Sequence, residues 1–207
     1  MGVYARHVFP RLMDWTLGRR HFGEERKVAL APARGHVLEI GFGTGLNLPH
    51  YPPGVRRLVA LDAVDLLPLR TAQRIVRASF PVERVELTAE QLPFPDTHFD
   101  CAVSTWTLCS IPDALAALRE LRRVLKPDGV FVFLEHGRSD HPRVARWQDR
   151  LNPIQRVMGV GCNLNRPIDA LIRDAGFAIT RLDRYAIAGE PRIMAEMYRG
   201  TAAPHAS

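Results

Sequence analysis

The sequence has 207 residues and a mass of 23.3 kDa, a length that fits one domain. Hydrophobic residues make up 46% of the chain and charged residues 24%, which is ordinary globular composition and excludes a disordered chain. No apolar run approaches the ~18 residues of a membrane span. The first twenty residues interrupt their apolar stretch with arginines and lack a small-residue cleavage site, so they do not resemble a secretory signal.

The basic balance of the chain limits the partners that we expect. The net charge is +6 and the isoelectric point is about 9.8, yet no block of five or six like charges forms a nucleic-acid arm. We therefore expect no nucleic-acid partner, and contact with an anionic membrane surface stays open. The three cysteines form no CxxC pair and the eight histidines form no HExxH motif. This pattern predicts a reduced, cytoplasmic chain without a built-in metal site, peripheral membrane contact being the alternative.

Residues 1–30 are predicted to form a helical lid ahead of the main domain, which we place at residues 31–207. Val8, Leu12 and Trp15 recur at helical spacing, so this segment has an apolar face with arginines around it. We expect it to cover the ligand site, with Tyr4 reaching the ligand. Contact with a membrane interface and plain core packing are the alternatives.

The main domain alternates short apolar runs with amphipathic helices, which predicts a doubly wound α/β fold with a mostly parallel sheet. The first five predicted strands are His36–Ile40, Leu58–Leu61, Arg84–Leu87, Cys101–Ser104 and Val130–Leu134. Between the last two of these lies a helix that Asp113 can cap, and Pro127 and Gly129 are expected to stop it.

The C-terminal third of the domain contains less regular signals. Residues 137–165 are predicted to be an irregular, functional loop. A helix is then expected with Asn165 as its cap and Pro167 in its first turn, ending at Gly176. Residues 178–187 and 192–198 are predicted as two antiparallel strands, because the Ala-Gly-Glu-Pro connection between them is tight.

A glycine loop runs from Glu39 to Gly45, after a strand and before a helix. Glycines there let the backbone turn sharply and approach a ligand closely. Leu46 stands where a dinucleotide fingerprint needs glycine or alanine, and the GK[ST] of a phosphate loop is absent. An acidic residue two positions before GxGxG instead suits S-adenosylmethionine, which carries an ammonium and a sulfonium. Asp62 ends the second strand, where its carboxylate can accept bonds from a ribose diol or simply form a turn.

Four segments in order carry a family resemblance, namely VLEIGFGTG, VALDAV, AEQLPFPDTHFDCAVS and ALRELRRVLKPDG. Over residues 35–200 the chain resembles the class I S-adenosylmethionine-dependent methyltransferases. The resemblance implies a Rossmann-like sheet of seven strands with strand seven antiparallel. It implies that Glu39 and the glycine loop hold the methionine end and that Asp62 holds the ribose. Thr88 stands where many relatives carry an Asp, so backbone groups of Ala89 and Glu90 are expected to contact the adenine. The cofactor residues expected on this basis are Glu39, Gly41, Phe42, Gly43, Thr44, Gly45, Asn47, Asp62, Ala63, Ala89, Glu90, Gln91, Thr105 and Trp106.

Further segments resemble one branch, the alkyl-thiol methyltransferases of the methyltransferase-like seven group. They are GLN followed by HYPPG, then TLCSI, FLEH and GCNLNR. The resemblance implies in-line transfer of a methyl group to a small-molecule acceptor, with a thiol favoured. Mammalian members begin with a hydrophobic anchor, so the arginine-laced start of this chain is not expected to anchor stably. The alternatives are an amine or phospholipid-headgroup N-methyltransferase and a non-catalytic S-adenosylmethionine-binding protein.

Candidate residues for the acceptor side follow the fourth and fifth strands. His136 is predicted to be the general base, because imidazole titrates near neutral pH; the alternative is a histidine bonded to loop backbone. Tyr4, Cys109, Asn163 and Arg166 are the other candidates for contact with the substrate. Cys109 is alternatively a small buried residue.

Overall fold

One seven-stranded sheet organises the structure, a computed structural model that describes residues 4–205. Residues 1–3 of the predicted lid and residues 206–207 of the predicted domain lie outside the described residues. The strands are β1 (Gly35–Ile40), β2 (Val55–Asp62), β3 (Val82–Glu86), β4 (Phe99–Thr105), β5 (Leu125–His136), β6 (Phe177–Ala186) and β7 (Glu196–Pro204). Their order is β3-β2-β1-β4-β5-β7-β6, and β7 is antiparallel to both of its neighbours. The predicted mostly parallel sheet with strand seven antiparallel is therefore confirmed.

The helices cover both faces of this sheet. They are α1 (Phe9–Leu17), α2 (Arg20–Leu30), α3 (Pro68–Val76), α4 (Ala114–Val124), α5 (Pro142–Met158) and α6 (Ile168–Asp174). Leu38 and Ile40 of β1 pack with Leu118 of α4, whereas Val37 packs with Leu30 of α2 on the other face. Because neighbouring side chains of a strand point to opposite faces, such a strand is buried on both sides and reads as a continuous apolar run.

The helix predicted before β5 is present, and the cap is the expected one. The Asp113 carboxylate accepts a bond from the backbone N–H of Ala116 at 2.9 Å. This bond satisfies one of the amides that the first turn of a helix leaves free.

The irregular loop predicted at residues 137–165 is wrong, because most of it is α5. That helix buries only Ala145 and Gln148 and contains Pro153, so its sequence shows little apolar periodicity and an internal proline that is typical of a helix break. Tertiary contacts hold it instead: the Gln148 side chain donates to the backbone oxygens of Gly137 and Ile193, each at 3.0 Å.

Two smaller predictions near the C-terminus need correction. Asn165 does not cap α6, which begins at Ile168 after Pro167; the Asn165 amide donates to Asp149 at 2.9 Å. The last strand begins at Glu196 rather than at residue 192, because residues 188–194 form turns and bends. The connection from β6 to β7 is thus longer than a tight hairpin.

The carboxyl ends of β1, β4 and β5 lie under the N-terminal helices. Phe22 and Ala29 of α2 pack with Leu134 of β5 and Met197 of β7. Among residues 4–205, no helix combines the length and apolarity that crossing a membrane requires.

Candidate functional site

In the glycine loop after β1, the backbone at Gly43 is not covered by neighbouring side chains of residues 4–205. Gly41, Gly43 and Gly45 have φ angles of +68°, +58° and +78°, which favour glycine. A Cβ on Gly41 would lie 2.0 Å from the Thr107 hydroxyl oxygen, so protein already fills that side. At Gly43 the nearest atom of the described chain is the Gly41 carbonyl oxygen at 3.9 Å. The loop is therefore open at Gly43, where a ligand can approach closely.

A buried carboxylate lies directly below this loop. Glu39 accepts hydrogen bonds from the Asn47 amide at 2.8 Å and from the Tyr51 hydroxyl at 2.7 Å. Burial raises the pKa of Glu39 to about 7. The Asn47 amide also donates to Thr105, while its buried Oδ1 has no hydrogen-bond partner among residues 4–205. An acid beside an unused acceptor suits a ligand that brings several donors, as an ammonium does.

Arg26 of α2 adds a buried cation to this group. It is 3% exposed, donates to the Leu17 carbonyl at 2.7 Å, and stacks 4.6 Å from the Trp106 ring centre. Burial lowers its pKa to about 10, against the opposing charge of Glu39. No atom in the described part of the chain bonds to its buried Nε. The Glu39 carboxylate suits the ammonium of an α-amino acid, and the Arg26 guanidinium suits its carboxylate. Arg26 was not predicted as a site residue, since an arginine in an amphipathic helix gives no local signal in the sequence.

Trp106 is in a conformation that few residues of its type adopt. Its φ angle is +51°, immediately after β4, and its ring contacts Phe22 edge-on at 5.4 Å between centres. Backbone strain of this kind concentrates at functional sites. Trp106 also packs against the N-terminal helices, where Leu17 and Phe22 belong to the same apolar cluster.

Asp62 joins the end of β2 to the glycine loop. Its carboxylate accepts from the backbone N–H of Gly43 at 2.8 Å and of Val64 at 3.2 Å, and burial raises its pKa. A cleft of about 180 Å³ lies beside it, lined by Phe42, Ala60, Asp62, Val64, Asp65, Arg84, Val85 and Glu86. Ala63, which follows Asp62 in the chain, is exposed. This is the edge of the sheet at which open α/β folds bind ligands.

The remaining adenine-side residues form the turn after β3. Ala89 is buried, and the Glu90 carboxylate lies 3.5 Å from the Asp113 backbone nitrogen at the start of α4. Gln91 follows in the same bend. A larger depression of about 290 Å³ lies at the opposite edge of the sheet, beside Asp100. That edge carries the amino ends of the parallel strands and does not contain the predicted site.

Thr44 of the glycine loop contacts α1 and α3. Its hydroxyl bonds to Asp14 of α1, and Arg74 of α3 donates to the Thr44 hydroxyl at 2.8 Å and carbonyl at 2.9 Å. Asp14 also pairs with Arg74 and Arg70. Burial raises the pKa of Asp14, but the bonds from Arg74, Thr44 and Arg70 outweigh it and hold this pKa below its usual value. The side chain of Thr44 thus ties α1 to the loop.

On the acceptor side, the predicted residues Cys109 and His136 lie together with Cys162, which was not among the residues predicted for the site. Cys109 follows β4, His136 ends β5 and Cys162 follows α5. His136 Nε2 lies 3.2 Å from Cys162 Sγ, and the three ligand-type atoms lie within 4.8 Å of one another. We call Cys109, His136 and Cys162 the thiol–imidazole cluster. His136 therefore bonds to a side chain rather than to loop backbone. A hydrogen bond with Cys109 and burial raise the pKa of the Cys162 thiol.

Hydrogen bonds join the loop that carries Cys109 to the loop that carries Cys162. The Asn163 backbone and side-chain amides both donate to the Cys109 carbonyl at 2.9 Å. Arg166 donates to the carbonyl oxygens of Leu108 and Pro112. The polar atoms of these two predicted substrate residues thus hold the loop after β4. Tyr4 is 43% exposed and donates to the Met158 carbonyl at 3.0 Å, at the end of α5.

Glu135 is a buried acid that the sequence analysis did not select. It accepts from the Ser104 hydroxyl at 2.6 Å and from the Thr107 backbone N–H at 2.9 Å, and burial raises its pKa to about 7. It fixes the turn that leads to Cys109. Its signal was a lone charge inside an otherwise apolar strand.

Comparisons with known proteins find related sequences and a shared fold. Residues 38–133 match the methyltransferase domain family. The human thiol S-methyltransferase TMT1A is 30% identical over 173 residues, which cover 79% of this chain and 68% of that protein. A phosphatidylethanolamine N-methyltransferase from Cereibacter sphaeroides is 28% identical over 152 residues, covering 72% and 74%. The YcgJ protein from Bacillus subtilis shares the fold, with a TM-score of 0.67 at 18% identity over 90% of this chain and 99% of that one.

The chain belongs to the class I S-adenosylmethionine-dependent methyltransferases. It is a methyltransferase enzyme whose cofactor is S-adenosylmethionine, as its family and fold establish. Within the class it resembles the thiol S-methyltransferase TMT1A.

Proposed function

We propose that this enzyme transfers the methyl group of S-adenosylmethionine to a small thiol. The observation that carries the choice of acceptor is the thiol–imidazole cluster at the carboxyl ends of β4 and β5, together with the likeness to a thiol S-methyltransferase. The cluster offers soft, polarisable groups in a place where open α/β sheets bind ligands.

The proposed cofactor contacts follow from the unused polar atoms. Glu39 and Asn47 Oδ1 take the ammonium, and Arg26 Nε takes the carboxylate. Neither the Oδ1 nor the Nε atom has a hydrogen-bond partner within residues 4–205. Asp62 takes the ribose diol, and the turn of Ala89, Glu90 and Gln91 flanks the adenine. When bound, the cofactor supplies a methyl carbon that its sulfonium already activates. The residues of the chain then position the donor and acceptor and exclude water.

We also propose that residues 1–30 act as the lid over this site. Asp14 bonds to the glycine loop, and Arg26 and Phe22 cover Trp106. Deleting residues 1–22 should then weaken S-adenosylmethionine binding, measured by isothermal titration without liposomes. Intact binding combined with lost attachment to liposomes of anionic lipid would instead support a membrane contact.

The proposed acceptor thiol needs little activation. A free thiol has a pKa of ~8.5, so a small fraction is ionised at neutral pH. Arg166 interacts electrostatically with both cysteines of the cluster, and its guanidinium favours a nearby thiolate. The general-base role of His136 stays a prediction. His136 Nε2 is hydrogen-bonded to Cys162 Sγ, so that bond must break before Nε2 can accept a proton from a substrate.

A panel of acceptors tests the proposal. Purified enzyme is incubated with methyl-labelled donor and with alkyl thiols, amines and phenols of matched size, and products are identified by mass spectrometry. We expect labelled thioethers, and none with Asp62→Ala, which lacks the proposed ribose contact. Transfer to no acceptor, with the donor bound, would contradict the proposal and support a non-catalytic binding protein.

Amine methylation is the second candidate, because the chain is similar to a phosphatidylethanolamine N-methyltransferase and carries a net charge of +6. A basic surface attracts anionic lipid membranes. Labelled amines or labelled phosphatidylethanolamine without any thioether would favour this candidate over the thiol.

A further inference from the structure

The thiol–imidazole cluster has the composition of a metal site. Its atoms are two sulfurs and one imidazole nitrogen within 4.8 Å of one another, and Cys109 and His136 are buried. Zinc bonds of about 2.3 Å to sulfur and about 2.1 Å to nitrogen place tetrahedral ligand atoms about 3.5–3.8 Å apart. The observed 3.2 Å between His136 Nε2 and Cys162 Sγ needs only a small opening to admit the ion.

Hydrogen bonds and a sharp backbone turn hold these groups in place. Two amide groups of Asn163 bond to the Cys109 carbonyl, and the Asn163 side chain also donates to the Gly161 carbonyl at 3.0 Å. Val160 and Gly161 both have positive φ angles, +50° and +95°, so the backbone turns sharply just before Cys162. Pre-positioned ligands with supporting contacts are what distinguish a built site from a chance group of cysteines.

One cation lies near the cluster, because Arg166 interacts electrostatically with Cys109 and Cys162 as well as with Glu135. Two thiolates neutralise a divalent zinc ion, and a third brings the site to a net charge of −1. The Arg166 guanidinium, which interacts with Cys109 and Cys162, then balances that charge. Three protein ligands are also the number found in catalytic zinc sites, where the fourth position receives water or substrate.

We propose that Cys109, His136 and Cys162 bind one Zn²⁺ ion, whose fourth position takes the sulfur of the acceptor thiol. The choice of acceptor rests on the proposed function. As the zinc–sulfur bond forms, the thiol releases its proton to water, because a thiol that coordinates zinc is deprotonated. In this arrangement His136 is a ligand rather than a base.

The transfer step then balances without a further reactant. An electron pair on the thiolate sulfur forms the bond to the methyl carbon. The bond from that carbon to the sulfonium sulfur breaks, and its electrons return to that sulfur as S-adenosylhomocysteine forms. The new thioether is neutral and a weaker ligand, so it leaves the metal.

Cobalt binding tests the site directly. The reduced full-length chain is freed of metal by chelator and dialysis, then titrated with Co²⁺ alone. We expect saturation at one equivalent, with thiolate-to-cobalt charge-transfer absorption and the visible bands of a tetrahedral site, both removed by Zn²⁺. Cys162→Ser and His136→Asn should weaken Co²⁺ binding by at least about 100-fold, the upper end of losses from outer-shell changes alone.

Cys101→Ala is the matched control, since this third cysteine is buried in β4 and is not part of the cluster. S-adenosylmethionine binding by each variant shows that it folds, because Glu39 and Asp62 are separate from the cluster. Absence of charge-transfer bands at one equivalent, or bands that survive Cys162→Ser in a folded variant, would overturn the proposal.

Adding an alkyl thiol separates this inference from the proposed function. A thiol should shift the cobalt bands, and an alcohol of equal length should not. Full-rate thioether formation by chelated protein without cobalt bands refutes the metal site and leaves the proposed function standing. Cobalt bands that a thiol does not shift refute the acceptor position, and with no thioether formed they refute the proposed function as well.

Discussion

Arg26 offers a sharp test of how the cofactor is held. It is 3% exposed, its Nε has no hydrogen-bond partner among residues 4–205, and it interacts electrostatically with the buried Glu39. We propose that it binds the carboxylate of S-adenosylmethionine. A hydrogen bond to a charged group contributes about 1.5–3 kcal/mol, and each 1.4 kcal/mol is a factor of ten in affinity. Arg26→Met should therefore weaken S-adenosylmethionine binding by about 12-fold to about 140-fold.

Isothermal titration with two ligands isolates this effect. 5′-Methylthioadenosine lacks the amino acid end, so its affinity should not change in Arg26→Met. The methionine side chain keeps an apolar contact with Trp106, which limits other disturbance. Arg26→Lys keeps the charge without the planar fork and should fall between the other two proteins. Equal losses for both ligands, or no loss for S-adenosylmethionine, would refute the assignment.

Three other expectations concern the same site. Glu39 has a pKa of about 7 and binds an ammonium only as a carboxylate. The affinity for S-adenosylmethionine, measured by titration calorimetry, should therefore fall as the pH drops below 7, by up to about tenfold per pH unit. Glu39→Gln should remove that pH dependence. Gly43→Ala places a methyl group in open space at φ +58°. The backbone strain of about 1–2 kcal/mol should leave this variant folded, but the methyl group should weaken cofactor binding. In Gly41→Ala the new methyl group overlaps the Thr107 side chain, so this variant should have a much lower melting temperature. Asp14→Ala removes the bonds between α1 and the glycine loop and should lower the urea-unfolding free energy by about 1.5–3 kcal/mol, against under about 1 kcal/mol for Asp65→Ala in an exposed ion pair.

The sheet was predictable because its signals are local. β1, β2, β4 and β5 each contain an apolar run, as burial on both faces of a doubly wound sheet requires. The edge strand β3 differs, since three of its five residues, Glu83, Arg84 and Glu86, are charged. Asp113 marks the helix before β5 by its cap. The helix α5 was not predictable in this way, since two buried residues set no period that a sequence can show. The Gln148 side chain, bonded to loops distant in the chain, replaces that missing apolar stripe.

The same distinction applies to the site. The glycine loop and Asp62 carry local motifs, so their placement together at one edge of the sheet could be expected. Arg26 lies beside Glu39 only because α2 folds across the edge of the sheet. The thiol–imidazole cluster likewise joins the loop after β4, the end of β5 and the loop after α5. These segments are remote in sequence, so the spacing rules for metal ligands could not predict it.

The interior position of β7 has a consequence for synthesis on the ribosome. β7 pairs with β5 on one side and β6 on the other, and its start faces His136 across the ladder. β6 emerges from the exit tunnel before β7, the strand with which it pairs. β5 likewise reaches its full pairing only after residues 196–204 have been synthesised. The strand ladder beside His136 is therefore completed only at the end of synthesis.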